Sequence, residues 1–339
     1  MTNDVDMKTD AVWKRLLSGG SGAIVVATVV LFALSPLVAP GSLAPAPVLG
    51  MLPFAAVLAI AAAGQTLVVQ QRGLDLSVPG MMAFGGVLVT GLPQYFGWPL
   101  WAAVVAGVAL PGVAGLLNGI LVTRFGVMPL VITLGMNTVL LGTVFAVSNG
   151  TPAGAMPALK SFASGQSLGI PNTLIIAAAV VLVAGFISQR SIVGRRLTAV
   201  GVSQPAATVL GIRVTLYQTL AYALAGVAYG LAAVLYSGYV STPPLFFGDS
   251  YLLPTVAAVV LGGTALTGGR SSIVSTAVAA LFLTQLGQLL RALGWTEPMQ
   301  LIMQAVVLLV VVLLRELVPS LALKVAAARA SRVQPSIAA

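Results

Sequence analysis

The sequence contains no cysteine and no histidine. Their absence removes disulfides, Cys/His metal sites, Ser-His and Cys-His nucleophilic couples, and the His-based zinc motif of intramembrane metalloproteases. Acidic residues are scarce too, 7 in 339. Asp4, Asp6 and Asp10 stand in a polar N-terminal stretch, while Asp75, Asp249, Glu297 and Glu316 fall at the ends of apolar segments. None of them forms the pair at membrane depth that an intramembrane aspartyl protease requires. No lysine follows a glycine, so the Gly-Lys-Ser/Thr loop that cradles phosphates is missing. The chain is therefore expected to be no enzyme, with no catalytic residues, no metal ligands and no cofactor of its own.

Charge of either sign is thin. Only 7% of residues are charged against 58% hydrophobic, and the mean hydropathy is +1.05. Soluble domains carry about a quarter charged residues, and 16 basic plus 7 acidic side chains do not cover a water-facing surface at this length. The net charge of +9 could suggest nucleic acid, but such binders gather their bases on one folded polar face. Here the cations are scattered singly between apolar runs, which reads as membrane orientation.

A hydrocarbon core takes ~20 apolar residues per helix. Ten such stretches occur, at about 21–41, 49–69, 77–96, 98–122, 127–148, 170–188, 215–240, 250–267, 273–290 and 298–318. The predicted class is an all-α integral membrane protein of about ten transmembrane helices: a cytoplasmic tail at 1–20, a polytopic domain at 21–318 and a cytoplasmic tail at 319–339. With the N-terminus in the cytoplasm, 14 of the 16 basic residues fall inside, and only Lys160 and Arg291 fall outside. Short loops obey the positive-inside rule, so this asymmetry supports the even span count and the orientation together. The first span is longer than the apolar stretch of a signal peptide and reads as a retained anchor. Spans 2 to 5 and 7 to 10 can form inverted repeats, since an offset of five reverses direction. The longest polar connections, 149–169 and 189–214, are too short to hold a core.

The predicted spans hold no charge at mid-depth, which disfavours an ion-coupled carrier. They do hold uncharged polar residues at helical spacing: Gln65 beside Thr66, Thr133 with Asn137, Tyr222 with Tyr229, Thr284 with Gln288, and Gln300 with Gln304. Residues four apart share a helix face, so these could line a wet path for a neutral hydroxylated solute. Singly, each pair is better explained by bonds between neighbouring helices, worth roughly 0.6 kcal/mol. The whole set argues against a membrane scaffold without a pathway. Gly115/Gly119 and Gly226/Gly230 match G-x-x-x-G and read as close helix packing.

Four segments then carry a resemblance. They are Gly64-Gln65-Thr66 with Arg72-Gly73-Leu74-Asp75-Leu76-Ser77-Val78; Ser148-Asn149-Gly150-Thr151-Pro152 with Gly169-Ile170-Pro171; Gly194-Arg195 with Ala199, Gly201, Ala206-Ala207 and Gly211-Ile212; and Ala257 to Thr264 with Gly268-Gly269. In this order they resemble the permease subunit of bacterial ABC importers for monosaccharides, of the ribose, xylose, arabinose and autoinducer-2 type, relatives of branched-chain amino acid permeases. The chain departs from that pattern at Pro79, Ser203, Thr208, Ser271, Ser275 and Ala279.

The resemblance implies a bacterial inner-membrane protein whose pathway forms with a second permease, the same or different. It implies a periplasmic sugar-binding protein outside and an ABC ATPase subunit inside that holds the ATP and Mg. Gln65, Thr66, Asp75, Ser77, Thr133, Asn137, Gln288 and Gln304 are the pathway candidates. Asn149, Gly150 and Pro152 are expected to meet the binding protein. Arg195, Arg196, Ala206, Ala207 and Gly211 are expected to meet the ATPase, with a short helix over Gln204 to Gly211. In Gly73-Leu74-Asp75-Leu76-Ser77 the acid is placed to cap the next helix, with Arg72 as a candidate ion partner. A branched-chain amino acid permease is the nearest alternative, disfavoured by the neutral polar spans.

Overall fold

The computed structural model describes residues 20–296, 298–310 and 313. The expected tails, apart from Gly20, lie outside these residues, as do Glu297 and Glu316. The described chain is almost wholly helical. Its long helices are α1 (Gly20–Val38), α2 (Pro45–Gln70), α3 (Val78–Phe96), α4 (Leu100–Arg124) and α5 (Pro129–Ser148). After a short α6 (Pro157–Ser164) and a two-stranded hairpin, β1 (Gln166–Ser167) with β2 (Ile170–Pro171), comes α7 (Asn172–Arg190). Two short helices, α8 (Ile192–Val202) and α9 (Gln204–Val209), precede α10 (Val214–Val240), α11 (Asp249–Leu261), α12 (Ile273–Ala292) and α13 (Pro298–Val310).

Six of these helices are long and apolar enough to cross a membrane by length and composition: α2, α4, α5, α7, α10 and α12. Each of the other expected spans contains a helix, with α3 diluted by glycine, proline and glutamine, and with α1 (apolar over Gly22–Val38), α11 and α13 shorter within the described residues. The predicted span 250–267 needs correction, because α11 stops at Leu261. At Gly262 a Cβ would lie 2.7 Å from the backbone of Thr276, so the chain turns against α12 there, and Gly263 follows with φ +94°. Starts are set locally. Proline occupies the first turn of α2, α3, α5 and α6, where its missing N–H costs nothing. Pro79, the departure noted above, is one of these.

Helices α2 and α10 run through the interior, and α5 and α7 turn most of their surface outward. Helices α4 and α10 cross antiparallel in close backbone contact. A Cβ on Gly115 would lie 2.2 Å from the Tyr222 carbonyl oxygen, and one on Gly226 2.2 Å from that of Pro111. Both G-x-x-x-G motifs thus serve backbone-to-backbone packing, as the sequence predicts. One end of the bundle carries Arg72, Arg124, Arg190, Arg195, Arg196, Arg213 and Arg270. The other carries the exposed tryptophans Trp98, Trp101 and Trp295, which suit a membrane interface.

Candidate functional site

Polar groups gather in three places: inside the bundle, at the arginine-rich end and at the arginine-poor end. The first surrounds the connection 71–77 between α2 and α3. Asp75 is fully buried. Its Oδ1 accepts from the Ser77 N–H at 2.9 Å and from the Ser77 hydroxyl. Asn118 of α4 donates from Nδ2 to Ser77 Oγ at 3.0 Å, and the Tyr229 hydroxyl of α10 donates to Gln65 Oε1 at 2.6 Å. Gln65 in turn donates from Nε2 to the Asp75 carbonyl at 3.3 Å. Thr66 closes the seam with a 3.1 Å bond to Thr276 of α12. The seam thus joins α2, α3, α4, α10 and α12.

Arg72 does not pair with Asp75. Its guanidinium donates to the carbonyls of Gly201, at 3.0 Å, and Val202. Arg72 has φ +65°, unusual for a residue with a Cβ, which turns its side chain toward α8 and away from the acid. Thr133 and Asn137 stand apart on α5. Thr133 bonds to its own helix at the Pro129 carbonyl, and Asn137 Oδ1 accepts from the Gly80 N–H of α3 at 2.7 Å.

At the arginine-rich end α8 is clamped to the end of α2. Gln70 Nε2 donates to Thr198 Oγ1 and Gln71 Nε2 to the Leu197 carbonyl, each at 3.0 Å, while the Gly269 N–H donates to the Gln70 carbonyl at 3.0 Å. A Cβ on Gly201 would stand 2.2 Å from that same carbonyl oxygen, so contact requires glycine there. The expected short helix is present as α9, with Pro205 in its first turn, Ser203 accepting from the Ala206 N–H, and Gly211 beyond its end at φ +75°. Its small residues divide: Ala207 is buried against the chain and Ala206 is exposed. Val209 and Leu210 are 88% and 74% exposed. Arg195 donates to the Arg190 carbonyl and Arg196 to the Tyr217 hydroxyl. Helix α8, and Gln70, Gln71 and Thr198 that hold it, escape a reading of the sequence alone, because two glutamine side-chain bonds between distant segments have no periodic signature.

At the opposite end Asn149 closes α5 in a left-handed conformation, and Asn149, Gly150 and Pro152 are exposed. The loop behind them is stitched down by three bonds. Tyr95 donates to the Thr151 carbonyl, the Gly154 N–H donates to Gln94, and the Ala155 N–H donates to the Ser241 carbonyl. The hairpin tip places Leu168 fully in solvent.

A cavity of about 640 Å³ opens at this end, between α2, α10, α11, α12 and α13. Of the expected pathway residues, Gln288 and Gln304 line it. Gln65, Thr66, Asp75, Ser77, Thr133 and Asn137 lie elsewhere, in the bonds given above. The structure therefore brings Gln65, Asp75 and Ser77 together, with Asn118 as an unforeseen member, and separates them from Gln288 and Gln304.

Comparison with known proteins gives a consistent outcome. The family described as Branched-chain amino acid transport system / permease component matches residues 48–312. The ribose import permease protein of Bacillus subtilis (strain 168) is 32% identical over 278 residues, 81% of this chain and 86% of that protein. The ribose import permease protein of Escherichia coli (strain K12) is 34% identical over 260 residues, 75% of this chain and 81% of its own. The autoinducer 2 import system permease protein of Photorhabdus laumondii is 31% identical, covering 70% of this chain and 73% of its own. No solved structure matches the chain.

Proposed function

The chain belongs to the branched-chain amino acid transport system / permease component family, and on that footing we propose that it is the membrane-spanning permease subunit of an ATP-driven importer of a monosaccharide. It is a multi-pass membrane protein that performs no chemistry itself. Relatives named for ribose and autoinducer 2 import support a sugar over a branched-chain amino acid. The arginine-rich end faces the cytoplasm, with both termini, and the tryptophan-bearing end faces the periplasm. A periplasmic sugar-binding protein docks on the rigid outer loop at Asn149, Gly150 and Pro152. A second permease completes the pathway, and a cytoplasmic ABC ATPase holds ATP and Mg.

The observation that carries this reading is the α8–α9 arm. An isolated cytoplasmic loop that only met lipid head groups would not need Val209 and Leu210 bared on a capped helix. Nor would it need a clamp of Gln70, Gln71 and Arg72 onto α8. An ATPase pushing on α9 would move α8, the end of α2 and the connection 71–77 as one unit, which continues into the buried seam at Asp75 and Gln65. Pathway opening would then be a rearrangement of that seam, whereas Gln288 and Gln304 stand nearer the outer entry.

Val209→Asp with Leu210→Asp tests it. Both side chains are already exposed, so the fold should persist while co-purification of the ATPase and ATP-dependent uptake are lost. Unchanged association would overturn the assignment of α9. Arg195→Ala with Arg196→Ala is the companion variant and is expected to weaken association as well.

A further inference from the structure

The outer cavity has a chemistry that the buried seam lacks. One wall is aromatic: Tyr236 lies edge-on to Phe54 and Tyr251, at centroid separations of 6.2 and 5.8 Å, and is backed by Phe247 stacked at 4.2 Å. The facing wall is polar. Gln288 spends its Nε2 on the Ser42 carbonyl at 3.0 Å, and its Oε1 has no partner. Gln304 Oε1 is likewise without a partner. Arg291 gives one donor to Gln300 Oε1 at 3.3 Å, and Gln300 is held by the Trp295 carbonyl at 3.0 Å. Both amide oxygens are buried within the wall rather than on its surface, so a turn of each side chain is what brings two unpartnered acceptors, beside the rest of a guanidinium fork, to face the π-surface.

Among the described residues no acidic one lines the cavity, whereas Arg291 does, and that cation disfavours an ammonium group there. A compact ring with hydroxyls on its rim and C–H bonds on its face matches these walls: hydroxyls accept from Arg291 and, once Gln288 and Gln304 turn their amides inward, donate to them, and the apolar face covers the tyrosines. The volume of about 640 Å³ lies in the range of small-molecule sites and exceeds what one sugar ring fills, leaving room for water to complete its shell.

Resting on the importer reading above, we infer that each permease chain carries its own sugar-binding site at its periplasmic end, between α2, α10, α11, α12 and α13, which takes one neutral pentose or hexose. The site lies inside one chain, so a pair of permeases holds two.

Two glycines on opposite walls give the test. A Cβ on Gly287 would stand 3.7 Å from Gln300 Oε1 and 3.8 Å from Arg291 Nη1, ordinary contact, and a Cβ on Gly50 would meet nothing within 4 Å. Gly287→Leu and Gly50→Phe therefore fill the cavity from either side without forcing backbone apart. The full complex, with ATPase and binding protein, is assembled in vesicles and given radiolabelled D-ribose, D-fructose or D-glucuronate. Each filled variant should lower uptake of the preferred neutral sugar about tenfold or more, while the ATPase stays bound and Gly142→Ala, in open space on α5, retains uptake. Gln288→Leu with Gln304→Leu should raise KM more than it lowers kcat. If both filled variants assemble and import the neutral sugar within about twofold of the parent, or if the parent prefers glucuronate, the site is overturned. A parent complex that assembles but imports no sugar defeats the importer reading instead.

Discussion

Asp75 shows how one residue can be placed by sequence and decided by surroundings. Its position before Leu76-Ser77 predicts a cap at the start of a helix, and its Oδ1 does accept from Ser77. The candidate partner Arg72 is committed elsewhere, on carbonyls of α8, because the left-handed backbone at Arg72 points the side chain outward. The acid is held instead within a neutral network, whose most exposed weakness is the Tyr229–Gln65 bond. Both side chains are fully buried. Tyr229→Phe keeps the ring and leaves Gln65 Oε1 without its donor, which should cost about 1–3 kcal/mol. The check is the unfolding midpoint of the detergent-solubilised chain, expected to fall. An unchanged midpoint would mean that water or another donor reaches Gln65.

At the scale of the element, the crossing of α4 and α10 rests on missing side chains. Lipid offers helices little hydrophobic incentive to associate, so close backbone approach does much of the work. Gly226→Ala would put a methyl 2.2 Å from the Pro111 carbonyl oxygen. Backbone on both sides has to separate, and overpacking of this kind costs about 1–3 kcal/mol or more. Gly142→Ala on α5 has open space around it and should be neutral or slightly stabilising through helix propensity. Comparing yields and unfolding midpoints of the two variants separates a packing role from a general need for glycine. The short helix α9 was legible from Pro205 and Gly211, a starter and a stopper flanking small residues. Its neighbour α8 was not, since Ile192 to Val202 reads as a mixed, arginine-bearing loop until α2 is there to receive it.

For the whole molecule, the absence of cysteine becomes an experimental convenience. Leu168→Cys and Val209→Cys each introduce a single thiol at an exposed side chain, at opposite ends of the bundle. A membrane-impermeant maleimide applied to intact cells stripped of their outer membrane should label the first. Labelling of the second should require breaking the inner membrane. Both reacting from one side would refute the orientation. The sequence alone determined the solvent, the helix content, the end that carries arginine and the glycine faces that pack, because composition and helical period act over neighbouring residues and need no partner. Tertiary structure alone decided which polar residues share a site. Gln65, Asp75, Ser77, Asn118 and Tyr229 became a buried seam while Gln288 and Gln304 joined a cavity, since a side chain's role in lipid depends on which distant backbone groups and helices satisfy it, and helical spacing does not encode that choice.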